Sequence, residues 1–179
     1  QKGTETSSVL PKGGTLGYSA DRNQTPNLDG LRNGLLGIGL DMFGNHGNTQ
    51  FDGTGCPTLS PRPGANALVI RGPGSLKAGY CILGSLKNAA TSWSTGTSSR
   101  SGRAKAIRIV IDPSTVTTPQ VKVWLCAANT TCSTAGAPNL AVNAPAALVN
   151  EPTVRFGFSA TTGGITNRHE VWDLSVDSQ

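Results

Sequence analysis

No apolar run in this chain outlasts a single β-strand. The run 67–71 is stopped by Gly72-Pro73-Gly74, and the run 106–111 is turned by Asp112-Pro113-Ser114. The alternating run 154–159 is followed by Thr161-Thr162-Gly163-Gly164. Gly and Pro, 23 and 11 of 179 residues, are plentiful, so the chain turns often. Nothing approaches the roughly 18 consecutive apolar residues of a membrane span. Gly and Thr are the commonest residues, and windows of Ala, Leu, Glu and Lys at the helical spacing a bundle needs are missing. Charged residues are 14%, against about 25% in an average soluble protein. Low charge with regular apolar runs also excludes a disordered chain. An all-β domain remains.

The strands are legible one by one. Leu36, Ile38 and Leu40 share one face of the run 35–41, and Gly37 and Gly39 leave room on the other. Residues 106–111 and 121–125 read as an antiparallel pair. Val154, Phe156 and Phe158 alternate with a period of two and are expected to point inward. Residues 170–176 read as a last strand. Residues 21–34, 44–63, 84–102 and 133–152 read mainly as loop. Short strands spaced by turns point to a sandwich or jelly roll over residues 1–179, with no repeat and no domain boundary.

Four cysteines are present, none at the Cys-x-x-Cys spacing of a zinc or redox site. Four cysteines allow three connectivities. Local pairing, Cys126 with Cys132 and Cys56 with Cys81, is expected because Cys126 and Cys132 close by far the shortest loop. Two disulfides imply an oxidising compartment, so a secreted or cell-surface location is expected.

The net charge of +5 raises the question of nucleic acid. The densest basic group, Arg100, Arg103, Lys105 and Arg108, has no aromatic nearby except Trp93, so no nucleic-acid partner is expected. An enzyme is not expected either. No close carboxylate pair shares a strand, and neither a Gly-x-Ser-x-Gly elbow nor a His-Glu-x-x-His motif occurs. His46 reads as an exposed loop residue. Trp124 and Trp172 read as core, and Trp93 as a candidate for stacking on sugar.

Three segments together carry a resemblance. They are Gly13-Gly14-Thr15-Leu16-Gly17-Tyr18, then Leu36-Gly37-Ile38-Gly39-Leu40-Asp41-Met42-Phe43-Gly44-Asn45, then the stretch 154–171 with Gly157-Phe158-Ser159-Ala160 and His169-Glu170-Val171. In this order and spacing the chain resembles the L-type (legume-type) lectin domain in its bacterial surface-protein form, from about Gly13 to Val176. The resemblance implies a concanavalin-like jelly roll, a two-sheet antiparallel β-sandwich. It implies calcium-dependent carbohydrate binding in adhesion, with sugar contacts from Gly14, Asn45, Gly164, Ile165, Thr166 and Asn167. Calcium ligands would be Asp41, the Phe43 carbonyl, Asn45 and Asp52, a set of hard oxygen donors suited to that ion. It assigns His169 and Glu170 to the start of a core strand. A transition metal is not expected, because Gly39 and Asn66-Ala67-Leu68 stand where its Glu and His ligands would be. The leading strands of such a domain, including its sugar-binding Asp, have no counterpart before Gly13. A second chain or segment completing the β-sandwich, or a homo-oligomer, is therefore expected as partner beside carbohydrate. An assembly subunit that uses the fold without binding sugar is the alternative.

Overall fold

The computed structural model describes residues 12–24, 26–57, 63–87, 105–114, 118–127, 130–161, 169–171 and 173–177. Among them the chain is mostly β, with little helix. Nine strands run β1 Gly30–Gly34, β2 Gly37–Asp41, β3 Ala67–Arg71, β4 Gly74–Leu76, β5 Ala78–Gly79, β6 Ile82–Leu86, β7 Lys105–Asp112, β8 Gln120–Ala127 and β9 Leu140–Asn143. One helical turn, α1 Ala146–Val149, follows β9. Short 3-10 turns cover Gly13–Thr15 and Thr49–Phe51. No helix among the described residues is long and apolar enough to cross a membrane.

The strands form three antiparallel sheets, in the orders β1-β4-β5, β2-β3-β6 and β7-β8-β9. β3 is the central strand of the second sheet, and all five of its residues are buried. Side chains alternate across a strand, so Leu68 and Ile70 share one face, and Ala67, Val69 and Arg71 the other. The Leu68 and Ile70 face meets Val121 and Val123 of β8, Val142 of β9 and Leu148 of α1 in the main core. On the other side Tyr18, Ala20 and Tyr80 make a smaller cluster. The Tyr18 and Tyr80 rings meet edge to face, centroids 5.4 Å apart. Both hydroxyls are satisfied: Tyr18 donates to the Gly72 carbonyl at 2.7 Å, and Tyr80 to that of Leu31 at 2.8 Å. Burial pushes both phenols above their ordinary range.

Both disulfides form with the local pairing, Cys56–Cys81 and Cys126–Cys132, at Cα separations of 5.2 and 5.6 Å. The strand pair expected from 106–111 and 121–125 is β7 with β8, in register from Lys105 opposite Ala127 to Asp112 opposite Gln120. Trp124 is buried and donates its indole N–H to the Gly136 carbonyl at 2.9 Å.

Several expectations are corrected. β1 lies inside the stretch read as a polar loop. Its sequence Gly-Leu-Arg-Asn-Gly has no apolar alternation, and Asn33 has a left-handed φ of 53°. β6 reaches into the stretch 84–102, which allows a loop or a weak edge, and β9 is a short strand within 133–152. Residues 151–160 form no strand, and Val154, Phe156 and Phe158 are exposed rather than inward-facing. His169, Glu170, Val171, Leu174 and Val176 are also exposed and outside any strand. Alternation gives a segment the capacity for a strand. The strand itself needs a neighbouring strand to bond with, and none of the described strands forms a ladder with either segment. Trp93 and Trp172 lie outside the described residues.

A loop gathered around a buried arginine

β2 delivers the chain into a tight loop at Asp41. The Asp41 carboxylate is buried and turns back on its own loop, accepting the Phe43 N–H at 3.1 Å and the His46 N–H at 2.5 Å. That is the usual work of an Asp opening a turn. Burial raises the carboxyl's pKa, and the amides of His46, Gly44, Phe43 and Gly47 pull against that rise.

His46 follows, and it is not the exposed residue expected from its place in a polar loop; it is 1% exposed. The reason sits on β2. A Cβ at position 39 would collide with the imidazole, so Gly39 is what lets this ring lie against the sheet. Its Nδ1 lies 2.8 Å from the Gly14 carbonyl. Burial, with the Arg71 charge adding to it, pushes the imidazole's pKa down to about 3. The ring is therefore neutral at ordinary pH.

The same contact brings the Gly13–Thr15 turn against the loop. A Cβ on Gly14 would collide with the Phe51 ring and stand 2.9 Å from the Asn45 Cβ. Gly14 and Asn45, far apart in sequence, are thus neighbours. Asn45 is exposed, and its carbonyl accepts the Asn48 N–H at 2.9 Å. The Asn48 side chain in turn accepts the Gln50 N–H at 3.2 Å. Thr161 donates to the Gly13 carbonyl at 2.6 Å, and Ser159 to that of Leu16 at 2.5 Å. The segment leading towards Gly164, Ile165, Thr166 and Asn167 is thereby tied to this turn. Those four residues themselves lie outside the described ones.

Beneath the loop lies Arg71, 0% exposed. A guanidinium carries five N–H donors. Nε donates to the His46 carbonyl at 3.1 Å, and the second terminal nitrogen to the His46 and Asn48 carbonyls at 2.5 and 3.0 Å. The first terminal nitrogen donates to Asp52 Oδ1 at 2.5 Å and to the Tyr80 carbonyl at 2.6 Å. Asp52 is itself 2% exposed, so this is a buried ion pair. The Cys56–Cys81 bridge lies just beyond both acceptor segments.

The expected calcium set does not fit this arrangement. Asp41, Phe43 and Asn45 do share the loop, but the Asp41 oxygens are turned to backbone amides. Asp52 faces Arg71, whose positive charge would repel a second cation beside it. Among the described residues no group of three or more His, Cys, Asp or Glu converges as a metal site.

Arg71, Tyr18 and Tyr80 escaped the sequence reading. One signal pointed to Arg71: an arginine closing the apolar run Ala67-Leu68-Val69-Ile70 is drawn inside with it and must find acceptors there. Elsewhere, an open groove of about 350 Å³ lies between Arg108, Lys122, Trp124 and Thr134. Its lysine is already paired with Asp112 at 2.8 Å. No family model, no curated protein and no solved structure matches this chain.

Proposed function

We propose that this chain is a carbohydrate-binding module of the lectin type, built on a concanavalin-like jelly roll and serving adhesion in a secreted or cell-surface protein. The observation that supports it is the juxtaposition of exposed Asn45 with Gly14 on a loop fixed from below. An Asn amide both donates and accepts, which suits paired sugar hydroxyls. The glycine beside it lets its turn close against Phe51 and Asn45. A loop held rigid before binding loses little entropy when a ligand arrives. Because the donor set does not suit calcium, binding is expected without that ion. The resemblance assigns further sugar contacts to Gly164, Ile165, Thr166 and Asn167, which lie outside the described residues.

The test is a glycan array probed with the full chain in calcium and in chelator. Binding to a defined sugar class in both buffers, weakened at least tenfold by Asn45→Ala, is the expected result; tenfold corresponds to about 1.4 kcal/mol. Absence of any glycan signal in either buffer refutes the reading.

A second reading, an assembly subunit, is favoured by a different observation. Ile107, Ile109 and Ile111 lie exposed on β7, and Val154, Phe156 and Phe158 lie exposed outside any strand. Apolar surface of this kind suits a second chain or segment, or another copy, that covers it. Sedimentation of the full chain over a range of concentrations tests it, with a species heavier than the monomer expected.

A further inference from the structure

We infer that Arg71 is the resident cation of the Asn45 loop: its guanidinium gathers the oxygens that fix the loop, and no metal ion is needed to set it. The oxygens are the carbonyls of His46, Asn48 and Tyr80 and one carboxylate oxygen of Asp52. Carbonyl and carboxylate oxygens converging on one buried positive charge are the donor types a hard divalent cation would take. Here the charge is covalently part of β3.

The placement explains the geometry of the loop. Residues 43–52 follow β2 in a loop that returns across its sheet, and their backbone carbonyls belong to no strand ladder. Two of those carbonyls, at His46 and Asn48, flank the turn just after Asn45, and both end on Arg71. The third, Tyr80, comes from the segment after β5, and Asp52 closes the loop. One side chain therefore fixes both ends of the loop's second half. A planar fork with donors in set directions does this where a flexible ammonium would not. Arg71 touches no part of the exposed Asn45 surface; it is a positioning residue acting through His46 and Asn48. Its role in sugar binding rests on the carbohydrate reading above, whereas its role in ordering the loop does not.

The experiment uses the full chain, with Arg71→Ala and Arg71→Lys. Thermal melts are run in calcium, in chelator, and in millimolar methylguanidinium chloride against equal sodium chloride. Amide hydrogen exchange is followed in parallel. Wild type is expected to melt at the same temperature in calcium and chelator. Arg71→Ala is expected to melt lower and to regain part of the loss in methylguanidinium alone. If Arg71→Ala does not fold, Arg71→Lys is the reporter. It should lose exchange protection at the Asn48, Phe51 and Asp52 amides while β7 and β8 keep theirs. A wild-type melt raised by calcium and lowered by chelator overturns the inference, because a metal would then be setting the loop. Protection lost evenly across the chain, with no response to methylguanidinium, also overturns it, since Arg71 would then be only one core residue among others. A chain that shows these loop effects but binds no glycan retires the carbohydrate reading and leaves the cation role standing.

Discussion

β3 and β7 make an instructive pair. β7 is the longer strand and has the plainer alternation, Lys-Ala-Ile-Arg-Ile-Val-Ile-Asp, yet Ile107, Ile109 and Ile111 stand 38, 46 and 43% exposed. β3 ends in a charged residue, and every one of its side chains is buried. The isoleucines share a face with Leu125, Val123 and Val121, their partners across the ladder, and those partners reach the core. The difference therefore does not lie in the strands' own residues. β3 is central, with β2 and β6 bonded to its flanks and a loop folded over one face. β7 is the end strand of its sheet among the described residues. Burial is conferred by neighbours, and a charge goes inside when enough oxygens come with it.

The sharpest way to break this comparison is to remove the charge from β3. Arg71→Met takes the guanidinium donors away from the buried Asp52 carboxylate and the carbonyls of His46 and Tyr80, and leaves the Asn48 carbonyl only the Phe51 N–H. A loss of about 3–5 kcal/mol is expected in chemical denaturation, the range for breaking one side of a buried ion pair. Arg71→Met combined with Asp52→Leu should cost less than the sum of the two single changes, because no lone charge remains.

The Cys56–Cys81 bridge fastens the same region from outside. Replacing both cysteines with serine should cost about 2–5 kcal/mol, the usual range for a native bridge. The loss is expected in the melting temperature and in the protection of the Gly53 and Thr54 amides, which bond to Gly79 and Lys77 across that bridge. A melt unchanged by the double serine variant would mean that Arg71 alone fixes this side.

How far these features were legible in sequence follows from the same contrast. The all-β class, the β7–β8 pair and both disulfides could be read because each is written locally, in alternation, turn residues and loop length. The resemblance named Gly14 and Asn45 only as sugar contacts, and no local pattern told that the two lie side by side. The burial of His46 was not legible, since it depends on the loop after β2 folding back over the space above Gly39. The position of Arg71 was half legible. Its strand announced burial, but the acceptors come from 46, 48, 52 and 80, positions that no local pattern connects. The inward-facing Val154, Phe156 and Phe158 failed for the opposite reason, because their pattern is local and complete while the neighbour it calls for is not among the described strands.

His46 gives a milder probe of the polar side. Its folded pKa lies at about 3, below the ordinary 6.5. The unfolded chain therefore binds the proton first, and the stability owed to neutral His46 is complete above about pH 6.5 and drains away as pH falls towards 3. The slope from one such group is at most about 1.4 kcal/mol per pH unit. Asp41, with its raised pKa, works in the opposite sense, since its folded form holds a proton more readily than its unfolded form. Comparison with His46→Gln separates the two: the stability of wild type relative to that variant should shrink from pH 6.5 downward. A constant difference over that window would place the imidazole in contact with water.

The smallest effect is expected on β7, and its smallness carries information. A side chain already 46% exposed loses little water on folding, so Ile109→Thr in a monomer should change stability by no more than about 0.5 kcal/mol. Threonine keeps the β-branch, so strand preference is not disturbed. Val123, opposite Ile109, is fully buried and serves as the control, since Val123→Thr puts a hydroxyl into the core and should cost several times more. If Ile109→Thr costs as much as Val123→Thr, the isoleucine face is covered in solution, and the comparison between β3 and β7 dissolves. A concentration-dependent melt in the same samples would then identify the cover as another copy of the chain, because only an intermolecular contact gains from mass action.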